Sequence, residues 1–146
     1  MTEFKRILLV EDNRNDLELT LMALAECNLA NKVDIARDGE EALDYLNSRG
    51  KYVQRAFGNP AVIMLDLKLP KVNGFEVLKQ IKESPLLKLI PVVILTSSKE
   101  DRDIMDGYSC GANAYVVKPV DFVNFVRAIK ELGLFWAVTN VPPSIC

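Results

Sequence analysis

The chain has 146 residues with 18 basic and 20 acidic side chains, a formal net charge of −2, three cysteines and no histidine. That length suits one domain able to bury most of its apolar surface, and so even a charge balance provides no clustered basic face for a nucleic-acid backbone. The missing histidine excludes Ser-His-Asp and Cys-His catalysis, histidine metal ligation and any phosphohistidine carried by the chain itself.

The first apolar run, Ile7-Leu8-Leu9-Val10, is short and continuous, as in strands buried on both faces of a parallel sheet, and it ends on Glu11 and Asp12. Leu17, Leu21, Leu24 and Ala25 then form a helical stripe. Val33-Asp34-Ile35-Ala36 predicts a second strand with no chemically useful residue after it, and Ala42, Leu43, Tyr45 and Leu46 predict a short helix. A long connection over 49–60 precedes Val62-Ile63-Met64-Leu65, which ends on Asp66. Phe75, Leu78, Lys79, Ile81 and Lys82 mark a third helix that stops before Ser84-Pro85, because proline disfavours helical geometry in the residue before it. Val92-Val93-Ile94-Leu95 ends on Thr96, a weaker helix covers 104–110 up to Gly111, and Tyr115-Val116-Val117 ends on Lys118-Pro119. The last helix places Phe122, Phe125, Val126 and Ile129 on one face, with Gly133 as its stop, and an apolar tail, Leu134-Phe135-Trp136-Ala137-Val138, follows.

Strand and helix alternate five times, which predicts an α/β fold: a doubly wound five-stranded parallel sheet with five helices. In such a sheet the carboxyl ends of the strands share one crevice at the switch point of strand order. Glu11, Asp12, Asp66, Thr96 and Lys118 therefore converge, and three carboxylates with a hydroxyl and an ammonium suit a divalent cation and a phosphoryl group. Clustered carboxylates repel one another in the bare protein, and a bound cation reverses that.

The segments Leu9-Val10-Glu11-Asp12-Asn13, Met64-Leu65-Asp66-Leu67-Lys68-Leu69-Pro70 with Gly74, Leu95-Thr96-Ser97-Ser98, and Tyr115-Val116-Val117-Lys118-Pro119 together resemble the receiver domain of two-component response regulators, in order and correctly spaced. The resemblance implies the flavodoxin-like strand order 2-1-3-4-5. It implies that Asp66 is the phosphoacceptor, attacking a phosphohistidine of a histidine kinase in a phosphorelay. It implies Mg2+ bound by Asp12, Asp66 and the main-chain carbonyl of Lys68, with Glu11 acting through water or directly. Lys118 and Thr96 would contact the phosphoryl oxygens, the bond to Pro119 would be cis, and Thr96 with Tyr115 would switch the face formed by the fourth helix, fifth strand and fifth helix. Lys68 and Ser98 resemble positions that tune spontaneous hydrolysis, so self-dephosphorylation is expected to be slow. The protein would be a phosphoacceptor and not an enzyme in its own right.

The long 49–60 connection, Gly50-Lys51-Tyr52 and the apolar tail also resemble the single-domain regulators that partner bacterial and cyanobacterial phytochrome kinases. This divides the chain into a receiver domain at 1–133 and an extension at 134–146 that either folds back over its own domain or makes a contact in a homodimer. With no output domain expected after the fifth helix, the signal would leave by protein contact. Each assignment has a bland rival: Asp66 as a turn or cap residue, Glu11-Asp12 as helix caps, Thr96 as a hydroxyl bonded to backbone, Tyr115 as an ordinary strand aromatic. The rival functions are a phosphorylation-independent interaction module, a phosphohydrolase, which would want an acid-base Asp where Lys68 stands, and a flavin protein, which would want a phosphate loop after the first strand. The widely spaced Cys27, Cys110 and Cys146 read as reduced thiols, and neither a signal peptide nor a span of ~20 apolar residues is present, so the expected location is the cytoplasm, off the membrane.

Overall fold

In the computed structural model, which describes residues 6–55, 58–118 and 121–141, five parallel strands lie in the order β2-β1-β3-β4-β5: β1 (Ile7–Val10), β2 (Val33–Ala36), β3 (Val62–Leu65), β4 (Val92–Thr96) and β5 (Ala114–Val117). Five helices connect or follow them: α1 (Arg14–Glu26), α2 (Gly39–Leu46), α3 (Gly74–Glu83), α4 (Asp101–Ser109) and α5 (Phe122–Leu134). This is the flavodoxin-like strand order expected from the sequence.

The alternation of side chains along each strand divides the core in two. Leu8, Val10, Ile63, Leu65, Val92 and Ile94 face α2 and α3, where Leu43, Leu46, Val77, Leu78 and Ile81 meet them. Ile7, Leu9, Val62, Met64, Val93 and Leu95 face α1 and α5, against Leu24, Phe125 and Ile129. The central strands β1, β3 and β4 are buried throughout, which is why they read as continuous apolar runs. The edge strand β2 tolerates Asp34, whose carboxylate is held by the Arg6 guanidinium at 2.7 and 2.8 Å and by the Tyr45 hydroxyl.

Several helices begin earlier than their apolar stripes indicate. Asn13, Asp38, Asn73 and Asp121 each accept a hydrogen bond from the backbone amide three residues on, so capping chemistry sets these starts. α4 begins at Asp101, a turn before Ile104, with Asp101 and Asp103 in its first turn. Gly133 does not stop the last helix: α5 runs through it to Leu134 and passes into a wider π turn over Phe135–Thr139. A Cβ at this position would meet Leu24 Cδ2 at 2.6 Å and Leu29 Cδ1 at 3.2 Å, so this glycine allows α5 to approach α1 closely.

The 49–60 connection is tied down over its described part. The Arg55 guanidinium lies 4.1 Å above the Tyr45 ring and donates to the Tyr45 carbonyl at 2.8 Å, while Tyr52 packs edge-on against Tyr45 and donates to Glu41. In the tail, Trp136 and Ala137 fold back onto the α1/α5 core, whereas Leu134, Phe135 and Val138 remain about half exposed. Cys27 and Cys110 are free, half-buried thiols; Cys146 and Pro119, with its expected cis bond, lie outside the described residues. Among the described residues no helix is long and apolar enough to cross a membrane.

Candidate functional site

Register places the site residues. Val10 pairs with Leu65 and Thr96 with Val117, and the ladder continues one residue beyond the strands: the Glu11 amide donates to Ala36, that of Asp66 to Val10, and that of Lys118 to Thr96 at 2.7 Å. The backbone under each functional side chain is therefore fixed by its neighbouring strand, and all of them point into one crevice at the carboxyl edge of the sheet.

Glu11, Asp12 and Asp66 offer oxygens that all lie within 4.8 Å of one another, with Glu11 and Asp66 buried and Asp12 exposed. Lys118, its side chain 7% exposed, sends its ammonium among them: Nζ lies 2.6 Å from Glu11, 3.1 Å from Asp66, and 2.8 Å from Asp16. Four carboxylates then face one ammonium, a negative excess in a largely buried site. Burial, opposed by the Lys118 hydrogen bond and reinforced by the neighbouring Asp66, pushes the Glu11 carboxyl up to about 7. For Lys118, burial works to lower the pKa, but the hydrogen bonds it donates to Asp16 and Glu11 outweigh it and the net shift is upward.

The donor set is all hard oxygen, without sulfur or imidazole, and it is short of positive charge. Those properties fit a divalent cation of the Mg2+, Mn2+ or Ca2+ type. A second feature that suits a polar guest is the Thr96 hydroxyl, fully buried and without a hydrogen-bond partner among the described residues. Its bland rival, a strand-end hydroxyl satisfied by backbone, is not what the fold adopts.

Lys68 lies on the exposed loop after β3, where its amide donates to Asp66 at 3.3 Å. The Ser98 hydroxyl donates to Asp103 on α4 at 2.6 Å. Tyr115 is half buried, and its hydroxyl donates to the Ser98 carbonyl at 3.1 Å, linking β5 to the loop after β4. Its ring lies against Gly107 of α4, where a Cβ would come within 3.2 Å of Cδ2.

Asp16 is the site residue that sequence reasoning missed. Its only local signal is an acid in the first turn of α1, which is common there for reasons of helix dipole alone, and its partner is 102 residues away.

The model of the response regulator receiver domain matches residues 7–130. The bacteriophytochrome response regulator RtBRR is 60% identical, with a TM-score of 0.78 over 97% of this chain and 85% of that one. The phosphorylated cyanobacterial phytochrome response regulator RcpA is 40% identical, with a TM-score of 0.89 over 97% of this chain and all of that one. Response regulator Rcp1 of Synechocystis sp. (strain ATCC 27184 / PCC 6803 / Kazusa) is 36% identical over 140 residues, 96% of this chain and 94% of the relative. The Mn(2+)-bound form of Rcp1 superposes with a TM-score of 0.88 over 96% of this chain and 99% of that one.

Proposed function

The chain belongs to the response regulator receiver domain family, and from that premise we propose that it is a phosphoacceptor switch in which Asp66 takes a phosphoryl group from a histidine kinase and passes the signal on by protein contact. The observation that carries the reading is the Lys118 ammonium, held inside the crevice 3.1 Å from the Asp66 carboxylate. A buried cation beside an acid fits the stabilisation of charge on a transferring phosphoryl group better than a structural ion pair, because desolvation makes such a pair a poor source of stability.

In the proposed step an Asp66 oxygen forms the new P–O bond while the P–N bond to the donor imidazole breaks and the imidazole leaves with the electron pair. Lys118 neutralises charge on the phosphoryl oxygens, and the unpartnered Thr96 hydroxyl donates to one of them. Asp12 and Asp66, the Lys68 carbonyl and Glu11 would hold Mg2+, which when bound neutralises both the acid cluster and the incoming group. Engagement of Thr96 biases Tyr115 and the loop after β4, so the switch is a population shift between two arrangements of that face. Lys68 and Ser98, close to Asp66 and Thr96 in sequence, set the lifetime of the phosphorylated state, which is proposed to be long.

RcpA and RtBRR are phytochrome response regulators, and that likeness supports a phytochrome-type histidine kinase as donor. The half-exposed Leu134, Phe135 and Val138 support a receiver unit at 1–133 with the extension contributing to a homodimer. No catalytic turnover and no nucleic-acid contact form part of the reading, and the proposed location is the cytoplasm.

The test is the intact mass of the protein after incubation with Mg2+ and acetyl phosphate, wild type against Asp66→Asn. One phosphoryl group gained by the wild type alone supports the assignment. No gain with acetyl phosphate or with a phytochrome-type kinase favours a phosphorylation-independent module.

A further inference from the structure

Lys118 has three N–H donors, and three carboxylates accept them. Two of these, Glu11 and Asp66, also belong to the trio able to hold a cation; the third, Asp16, does not. A cation drawing on Glu11 and Asp66 weakens two of the three contacts and repels the ammonium besides. The Asp16 contact is left as the one that keeps Lys118 in place.

The geometry of α1 suits Asp16 to that task. Its amide is fixed by the Asn13 side chain at 3.0 Å, and its carbonyl accepts from the buried Thr20 hydroxyl at 2.7 Å. An acid three residues into a helix commonly reaches back to the N-cap amide. Here that amide, of Asn13, donates instead to Glu11 at 3.2 Å. The Asp16 carboxylate is thus released from capping and spans to β5, 2.8 Å from Nζ.

We infer that Asp16 is a positioning residue for phosphoryl transfer, anchoring the Lys118 ammonium beside Asp66 while the remaining carboxylates serve the cation. The inference rests on the phosphoacceptor reading and deepens it. The site's acids are divided by role: Asp16 alone is dedicated to the lysine, and it acts through that lysine without touching the reacting atoms.

Asp16→Asn keeps the size of the side chain and both backbone bonds but removes the charge. Three quantities are compared with wild type: Mg2+ dissociation constant by calorimetry, initial phosphorylation rate with acetyl phosphate at saturating Mg2+ by intact mass, and the 15N–1H signal of the Lys118 ammonium in Mg2+-loaded protein. The expected result is an unchanged Mg2+ constant, a rate about tenfold lower, the effect of exchanging a carboxylate acceptor for a neutral amide in a hydrogen bond to a charged partner, and a shifted or broadened ammonium signal. Asp16→Glu, which keeps the charge, recovers much of the rate. An unaltered or faster rate in Asp16→Asn, no recovery with Glu, or a matching loss of Mg2+ affinity would overturn the assignment. A wild type that takes up no phosphoryl group sinks the phosphoacceptor reading and this inference together, whereas a phosphorylated wild type with an unaffected Asn variant sinks only the role of Asp16.

Discussion

Glu11, only 1% exposed and tied to Lys118, is held protonated to about pH 7 by burial above all. A carboxylate must lose its proton before it can serve a cation, so protons compete with the proposed Mg2+ for this side chain. Mg2+ affinity is therefore expected to climb as pH rises toward about 7 and to level off above it. Calorimetric titrations at several pH values check this, and Glu11→Gln should flatten the climb. Between about 4.5 and about 7 the folded metal-free protein holds a proton that the unfolded chain has released, so metal-free stability falls as pH rises through that window. Added Mg2+ should offset the fall. At this scale the sequence reveals residues that end apolar strands, since position alone brings Glu11, Asp12, Asp66, Thr96 and Lys118 to one edge. It conceals Asp16 and the Asp34–Tyr45 contact, because nothing in local spacing encodes a partner on another element.

The loop after β4, helix α4 and strand β5 meet around Tyr115. Tyr115 joins β5 to the loop by a single hydroxyl contact to the Ser98 carbonyl, and its ring is seated where α4 has Gly107 in place of a side chain. In an open helix, glycine to alanine would gain about 1 kcal/mol from propensity. Here the new Cβ meets Ile94 Cδ1 at 2.7 Å and the Tyr115 ring at 3.2 Å, and overpacking of that kind costs ~1–3 kcal/mol. Gly107→Ala is therefore expected to be destabilising by roughly 1 kcal/mol in chemical denaturation, within the range for overpacking less propensity. In a Tyr115→Ala background the cost should shrink, because Ile94 can then move into the vacated space. A cost unchanged by removal of Tyr115 would mean that the ring is not what Gly107 accommodates. Element types were legible because burial on both faces writes β1, β3 and β4 as unbroken apolar runs. Their ends were less so: the Asp38 cap begins α2 before any apolar residue, α4 starts on acidic residues a turn before Ile104, and Gly133 mimics a stop while serving helix packing.

On the scale of the whole molecule the sheet separates two tasks. Its carboxyl edge carries the charged crevice, and the α1/α5 side carries the tail, where Val116, Ala128, Glu131, Leu132, Phe135 and Trp136 line a shallow cavity of about 230 Å³. The tail is divided: Trp136 and Ala137 cover the protein's own core, and Leu134, Phe135 and Val138 leave apolar surface facing outward. Val123 lies three turns before Leu134 on the same helical face and is 62% exposed, but Arg127 and Lys130 stand between them, so the exposed apolar surface is concentrated at the tail. Apolar side chains grouped at the surface of the tail suit a contact with a second copy. Sedimentation equilibrium of the wild type is expected to give a dimer, and a Leu134→Glu, Val138→Glu variant, charged only at exposed positions, is expected to be a monomer of unchanged melting temperature. Its phosphorylation by acetyl phosphate should match wild type, since the crevice lies at the edge of the sheet and the substituted positions do not enter it. A wild type that sediments as a monomer would leave the exposed tail surface to another partner, and a variant that melts lower would show that these side chains serve the fold of one chain instead of the contact between two.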